Sequence, residues 1–134
     1  MFRISPINDK ELQEKYALAC GAKFRADFFA YAMINVETDE LMGFSQFEID
    51  SKGGYIADLR SRIGYSDFEA MFILGRATMN FIDLCGMHTC RAAADAGERR
   101  LLLSIGFKDT DSSELFADMS GMFDGKCDGH EIKL

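Results

Sequence analysis

Two short segments of the chain combine cysteine with histidine, the side chains that zinc prefers in proteins. The first reads Cys85-Gly-Met-His88-Thr-Cys90, and the second reads Cys127-Asp-Gly-His130. Their spacing is similar to that of a zinc site divided between two segments, and it also allows a redox pair. We favour the simpler interpretation, in which buried thiols pack in the core and the second segment lies outside it. We therefore assign no metal site.

Positive charge is concentrated in residues 60–100, although the net formal charge is -7. An anionic cofactor, if one binds, is therefore expected in this part of the chain. Residues 109–134 by contrast carry mainly acids. Six of the eight arginines lie within 60–100: Arg60, Arg62, Arg76, Arg91, Arg99 and Arg100.

Composition limits the size of the fold and the class of partner. A chain of 134 residues predicts one domain over residues 1–134. The negative charge argues against nucleic acid and anionic membrane surfaces as partners. No secretory segment is visible and the longest apolar run is far too short to span a membrane, so we expect a cytoplasmic protein with reduced thiols. Met119, Met122 and Phe123 predict an apolar edge that would favour a homodimer.

Hydrophobic periodicity predicts an alternation of strands and helices along the whole chain. Asn8 and Glu11 predict a capping box that opens the first helix, and Ser66 and Glu69 predict the same for the second. The predicted strands are Phe2–Ile7, Asp27–Val36, Leu41–Ile49, Tyr55–Arg62 and His88–Ala93, followed by two weaker strands within 107–123; the predicted helices are residues 8–20, Ser66–Gly86 and Glu98–Ile105.

The order β-α-β-β-β-α-β-α-β-β, together with a short helix that ends in Ile105-Gly-Phe-Lys108, resembles the GNAT superfamily of acyl-CoA-dependent N-acyltransferases. The resemblance spans nearly the whole chain. It implies an α+β fold with a single mixed sheet that splays at its centre and has helices on both faces. It also implies that the last strand pairs with His88–Ala93, which would bring Cys127 close to His88 and Cys90.

The resemblance implies that acetyl-CoA or another acyl-CoA binds between the strands that match Tyr55–Arg62 and His88–Ala93. The family pattern at the next helix is Arg or Gln, two residues, Gly, one residue, and Gly or Ala. Here Arg62 and Gly64 match and the second glycine is absent, while Ser66-Asp67-Phe68-Glu69 places two acids where a pyrophosphate would lie. The cofactor-binding residues implied are Leu59, Arg60, Arg62, Gly64 and Tyr65, with Arg60, Arg62 or Arg99 as alternative diphosphate ligands.

Acyl transfer to an amine needs a base for the amine and a proton donor for the leaving thiolate. Candidate bases are Glu48 and Asp58, which lie on predicted strands. Many family members supply the donor as a tyrosine where this chain has Leu102, and Tyr65 lies outside that helix. The sequence therefore assigns no catalytic residue and leaves two hypotheses: an N-acyltransferase that acts on a small amine, or a GNAT-fold binding or interaction module without catalysis.

Overall fold

A computed structural model of the protein describes residues 1–123, which form six strands and three helices. The strands join in one mixed sheet in the order β1-β2-β3-β4-β5-β6, in which only β4 and β5 run parallel. The α+β class and the order of elements through α3 are as predicted. The elements are β1 (Phe2–Pro6), α1 (Lys10–Ala19), β2 (Phe29–Asn35), β3 (Leu41–Asp50), β4 (Gly53–Ser61), α2 (Phe68–Leu84), β5 (Thr89–Ala93), α3 (Arg99–Ile105) and β6 (Glu114–Asp118).

Helices pack on both faces of the sheet, as predicted. α2 and α3 cover one face, where Leu74, Ile82 and Leu102 are fully buried. α1 covers the opposite face over β2 and β3, and its Ala17 packs in a second cluster with Phe44. Because successive side chains of a strand point to opposite faces, alternate residues of β3 and β4 face α1.

The sheet divides between β4 and β5. Their parallel pairing covers only Gly54 to Ile56 on β4, although β4 continues to Ser61. The register against β3 steps from Asp58 to Ile56, which leaves Ala57 as the extra residue of a β-bulge. A bulge bends its strand and increases the local twist. The predicted divergence of two parallel strands is therefore confirmed, and it begins at this bulge.

Two helices begin one residue later than their predicted capping boxes require. Asp9, not Asn8, caps α1 by accepting hydrogen bonds from the backbone N–H groups of Glu11 (2.9 Å) and Leu12 (3.4 Å). Asp67, not Ser66, caps α2 by accepting from the N–H of Ala70 at 3.0 Å. Both aspartates have the extended backbone of an N-cap, and a carboxylate at this position also complements the helix dipole.

The segment after α3 differs most from the prediction. Only β6 forms, and the first of the two predicted strands is reduced to a bridge between Lys108 and Phe116. The Thr110 and Ser112 hydroxyls hydrogen-bond nearby backbone and fix a turn instead of a strand. Met119 is fully buried in the chain's own core, and Met122 and Phe123 pack against that core, so they do not form the predicted exposed edge.

None of the helices in residues 1–123 is long and apolar enough to cross a membrane.

Candidate functional site

A cavity of about 610 Å³ opens where β4 and β5 diverge. Its walls are the end of β4 and the starts of α2 and α3. Cys20, which follows α1, lies at one side. The lining residues are Cys20, Leu59, Arg60, Ser61, Tyr65, Ser66, Asp67, Phe68, Met71, Gly97, Glu98, Arg100 and Leu101. Free N–H groups at the two helix N-termini make this a place where an anion could be held.

The loop after β5 closes the inner end of the gap. The backbone N–H of Leu59 donates to the carbonyl of Ala96 at 2.8 Å. A Cβ on Gly97 would lie 2.3 Å from the Leu59 carbonyl oxygen, so only glycine allows this approach. The N–H of Arg62 donates to Met42 on β3, and alternation along the strand therefore directs the N–H of Ser61 toward the gap. The β4 backbone N–H that remains available to a ligand is therefore that of Ser61, at the C-terminal end of the strand, and not that of Leu59.

The structure brings three of the five predicted cofactor-binding residues to the cavity: Leu59, Arg60 and Tyr65. Arg62 and Gly64 do not line it. The Arg62 Nε donates to the carbonyl of Leu41 at 2.6 Å, and its guanidinium lies 5.4 Å from the centre of the Tyr65 ring. Arg62 is thus placed to support Tyr65 from outside the cavity.

Charges of both signs border the cavity. Arg60 and Arg100 supply two guanidiniums, and the Arg100 guanidinium stacks 4.0 Å from the centre of the Phe68 ring. Asp67 and Glu98 supply two carboxylates at the starts of α2 and α3. Arg99, an alternative diphosphate ligand in the sequence, is not a lining residue; it pairs with Asp109. Sequence reasoning did not single out Arg100 or Glu98, because no motif marks either residue.

Asp58 lies fully buried beneath the cavity wall and is engaged by two arginines. Its Oδ2 accepts from Arg25 Nε at 2.9 Å and from Gln46 Nε2 at 2.8 Å, and its Oδ1 accepts from Arg60 Nε at 2.9 Å. Arg60 also donates to the carbonyl of Asp95 at 2.8 Å. With both oxygens bonded to cations, this carboxylate is not free to accept a proton from a substrate, and we discard Asp58 as a base.

Glu48 remains a candidate base. It is half-buried on the α1 face of β3, opposite Tyr55 in the β3–β4 register. Leu102 is fully buried and does not line the cavity, whereas its neighbour Leu101 does. The helix that carries the tyrosine in many GNAT enzymes therefore carries none here, and the Ser104 hydroxyl on it donates to the carbonyl of Arg100 at 2.7 Å.

Burial keeps two of the thiols in the described part of the chain protonated. Burial raises the pKa of Cys20 to about 12, even though Arg62 and Arg60 act against it. Burial likewise raises the pKa of Cys90 to about 12. The His88 Nδ1 lies 2.6 Å from an Asp83 carboxylate oxygen. Within residues 1–123 no group of three or more His, Cys, Asp or Glu side chains could hold a metal ion.

The second segment that combines cysteine with histidine, Cys127 and His130, lies outside the described residues.

Comparison with known proteins identifies the fold through structure and not through sequence. No protein-family model matches the chain, and no curated protein matches its sequence. Among solved structures, the IAA acetyltransferase from Bacillus cereus superposes with a TM-score of 0.67 at 15% identity, covering 83% of this chain and 79% of that one. A GNAT-family acetyltransferase from Staphylococcus aureus gives 0.66 at 12% identity, with 89% and 99% covered.

A third structure was solved with the coenzyme. The PaiA N-acetyltransferase from Thermoplasma acidophilum, in complex with coenzyme A, gives a TM-score of 0.53 at 16% identity, covering 80% of this chain and 64% of that one. At identities of 12–16% these three superpositions show a shared fold. The protein therefore has the GNAT acyltransferase fold, as the sequence predicted.

Proposed function

We propose that the protein is an acyl-CoA-dependent N-acyltransferase that acts on a small amine, with the coenzyme in the cavity between β4 and β5. The observation that carries the proposal is the position of this cavity, at an unpaired strand edge that faces the starts of two helices. An unpaired edge offers backbone groups to the amides of pantetheine, and helix N-termini favour phosphate. The cavity also has the volume of a typical ligand site.

The lining residues divide between the two ends of the coenzyme. Ser61 offers its backbone N–H to pantetheine, because the N–H of Leu59 is already bonded to Ala96. Arg60 and Arg100 supply positive charge for the diphosphate, and Tyr65 closes the cavity on the α2 side. We keep Leu59, Arg62 and Gly64 in the proposed site as the residues that shape the wall and hold Tyr65 in place.

Catalysis would be simple acid–base chemistry. The acceptor amine loses a proton to Glu48 or to water before it attacks the thioester carbonyl. The leaving thiolate takes a proton from water, since α3 offers no tyrosine. Such a site relies mainly on holding the two substrates together, a contribution that is large on its own.

The direct test is calorimetric titration of the purified protein with acetyl-CoA and with free CoA at low salt. Micromolar affinity for either would support the proposal, and a screen of amines for thiol release would follow. Absence of binding up to millimolar concentration would overturn it. The second hypothesis, a binding or interaction module without catalysis, would then describe the protein.

Asp67→Asn is expected to tighten CoA binding about three- to tenfold. Asparagine keeps the side-chain oxygen that caps α2, but it removes a negative charge from the place where the diphosphate would lie. Removal of one like-charge contact is worth about 1 kcal/mol at the effective dielectric of a surface site. The titration above measures the change, and raising the salt should reduce it.

Asp9→Asn is the matched control. Asp9 caps α1 in the same way as Asp67 caps α2, and it does not line the cavity. We expect no change in CoA affinity for this variant. Equal affinities of wild type and Asp67→Asn would remove the start of α2 from the coenzyme site.

A further inference from the structure

Four side chains form a continuous strip on the α1 face of the sheet: Arg25, Phe28, Tyr55 and Arg91. The Arg25 guanidinium lies 5.8 Å from the centre of the Phe28 ring, and the Phe28 and Tyr55 rings meet edge to face at 6.5 Å. The Arg91 guanidinium lies 5.2 Å from the Tyr55 ring centre. We call this row the cation–aromatic strip. It presents two aromatic rings between two guanidiniums.

Buried polar groups hold Arg25 in place. The Gln13 side chain donates to the carbonyl of Arg25 at 3.1 Å, and the Gln46 amide oxygen accepts from the Arg25 N–H at 3.0 Å. The two glutamines are fully buried, and the Gln13 Nε2 donates to the Gln46 Oε1 at 3.0 Å. Burying such groups is costly unless each is satisfied, and a satisfied network fixes one conformation. These hydrogen bonds therefore hold the Arg25 backbone, in the α1–β2 loop, in one position.

The charge of Arg25 is not fully compensated. Asp58 is shared between Arg25 and Arg60, so that one carboxylate faces two guanidiniums. Arg91, in contrast, has Asp50 at 3.1 Å and Glu114 at 4.0 Å. Within residues 1–123 the two Nη groups of Arg25 donate to no protein acceptor, and a third of its side chain is exposed. A guanidinium fork with free Nη groups fits a carboxylate in bidentate geometry.

Negative charge surrounds the other end of the strip. Burial raises the pKa of the Tyr55 phenol, Glu114 and Asp95 raise it further, and Arg25 and Arg91 act in the opposite direction. Glu48 on β3 is the cross-strand neighbour of Tyr55 on β4. The guanidiniums of the strip and the carboxylates of Glu48 and Glu114 beside it therefore border the two aromatic rings. A zwitterion with an apolar body needs both signs of charge next to an apolar surface.

The strip also adjoins the cavity. Arg25 and Arg60 meet on the same carboxylate of Asp58, and Arg60 lines the cavity. Arg25 is thus linked to the wall of the proposed coenzyme site through one shared carboxylate. Glu48, the candidate base, lies on the same face as the strip.

We propose that the strip binds the acyl acceptor, and that this acceptor is an amino-acid-like amine whose carboxylate is held by Arg25 and whose apolar side chain lies on Phe28 and Tyr55. The inference rests on the proposed function, since it names the substrate class of that same site. In the reaction the amine nitrogen forms a bond to the acyl carbon while the carbon–sulfur bond breaks. The ammonium loses two protons, of which one is released and one balances the CoA thiol.

The test compares ligands that differ by the carboxylate alone. N-acetyl-L-phenylalanine and N-acetyl-2-phenylethylamine are titrated into the protein, with and without saturating CoA, and binding is followed by ¹H–¹⁵N spectra that include the arginine Nε–H signals. We expect the carboxylate ligand to bind at least tenfold more tightly and to shift the Arg25 Nε–H signal. Equal affinity of the two ligands, or no binding up to millimolar concentration, would overturn the inference.

Variants assign the preference to Arg25. In Arg25→Gln the two ligands should bind with equal affinity, and in Arg25→Lys the preference should be reduced but present. Arg3→Gln removes the same charge from an exposed position on β1 and should leave the preference unchanged. If Arg25→Gln does not fold, Arg25→Lys decides, because it keeps the ion pair and loses only the fork. A preference that keeps its wild-type size in either Arg25 variant would contradict the inference.

The two proposals can fail separately. CoA binding without a carboxylate preference would overturn the acceptor assignment and leave the enzyme hypothesis intact. A carboxylate preference without CoA binding would overturn the proposed function, and with it the acceptor role, while the anion site itself would stand.

Discussion

Asp58→Asn should lower the free energy of unfolding by about 3 kcal/mol or more, the largest effect expected of any charge-removing substitution within residues 1–123. Asp58 is fully buried and accepts from Arg25 and Arg60, each at 2.9 Å. Removing one partner of a buried ion pair costs about 3–5 kcal/mol, because the remaining charge stays buried and uncompensated. Here two partly buried guanidiniums would lose their common counter-ion. Urea denaturation followed by circular dichroism measures the loss.

Asp111→Asn serves as the control for the change in net charge. Asp111 is exposed, in the turn before β6, and we expect its substitution to change the free energy of unfolding by less than about 0.5 kcal/mol. A loss below about 1 kcal/mol for Asp58→Asn would mean that water screens the pair and that the network does not fix Arg25. Such a result would also weaken the argument for a preorganised strip.

The sequence placed Asp58 on the correct strand but did not show that it is buried and ion-paired. An alternating strand does not reveal whether a polar residue faces solvent or a buried partner. The partners Arg25 and Gln46 lie 33 and 12 positions away in the chain, and the bulge at Ala57 rotates Asp58 toward them. Only tertiary structure brings these groups together, so no local pattern could have identified the network.

The order and pairing of elements, in contrast, could be predicted because they depend on local periodicity and on the resemblance to the GNAT fold. The helix starts were less predictable. Asn8 and Asp9, like Ser66 and Asp67, are adjacent residues that can both cap a helix, and the capping-box pattern favoured the first of each pair. In the structure the caps are Asp9 and Asp67, because their carboxylates accept hydrogen bonds from N–H groups of the first turn.

Part of the cavity lining could be predicted from the sequence. Leu59, Arg60 and Tyr65 were named because the resemblance places the cofactor at the end of β4, and all three line the cavity. Arg100 and Glu98 come from α3, and Arg25 comes from the α1–β2 loop; each reaches the site only through packing. A pattern can mark where a strand ends, but it does not show which distant loop will face that end.

Leu102→Tyr is expected to destabilise the fold by about 2–5 kcal/mol instead of restoring a catalytic hydroxyl. Leu102 is fully buried on the core side of α3, where it packs in the same cluster as α2. Extra volume in a packed core costs about 1–3 kcal/mol, and a buried hydroxyl without a partner costs a similar amount. Thermal and urea denaturation of the variant measure the combined cost.

Leu103→Tyr is the matched control, because the adjacent residue on α3 is 40% exposed and can accept the larger ring. We expect its free energy of unfolding to stay within about 0.5 kcal/mol of wild type. If Leu102→Tyr proved as stable as wild type and increased thiol release from acetyl-CoA, the core at α3 would be adaptable and the tyrosine position functional. If the expected loss of stability is found, residue 102 serves packing in this chain. Acyl transfer would then take the proton for the leaving thiolate from water, as we propose above. Glu48 and the strip would bind and deprotonate the acceptor amine.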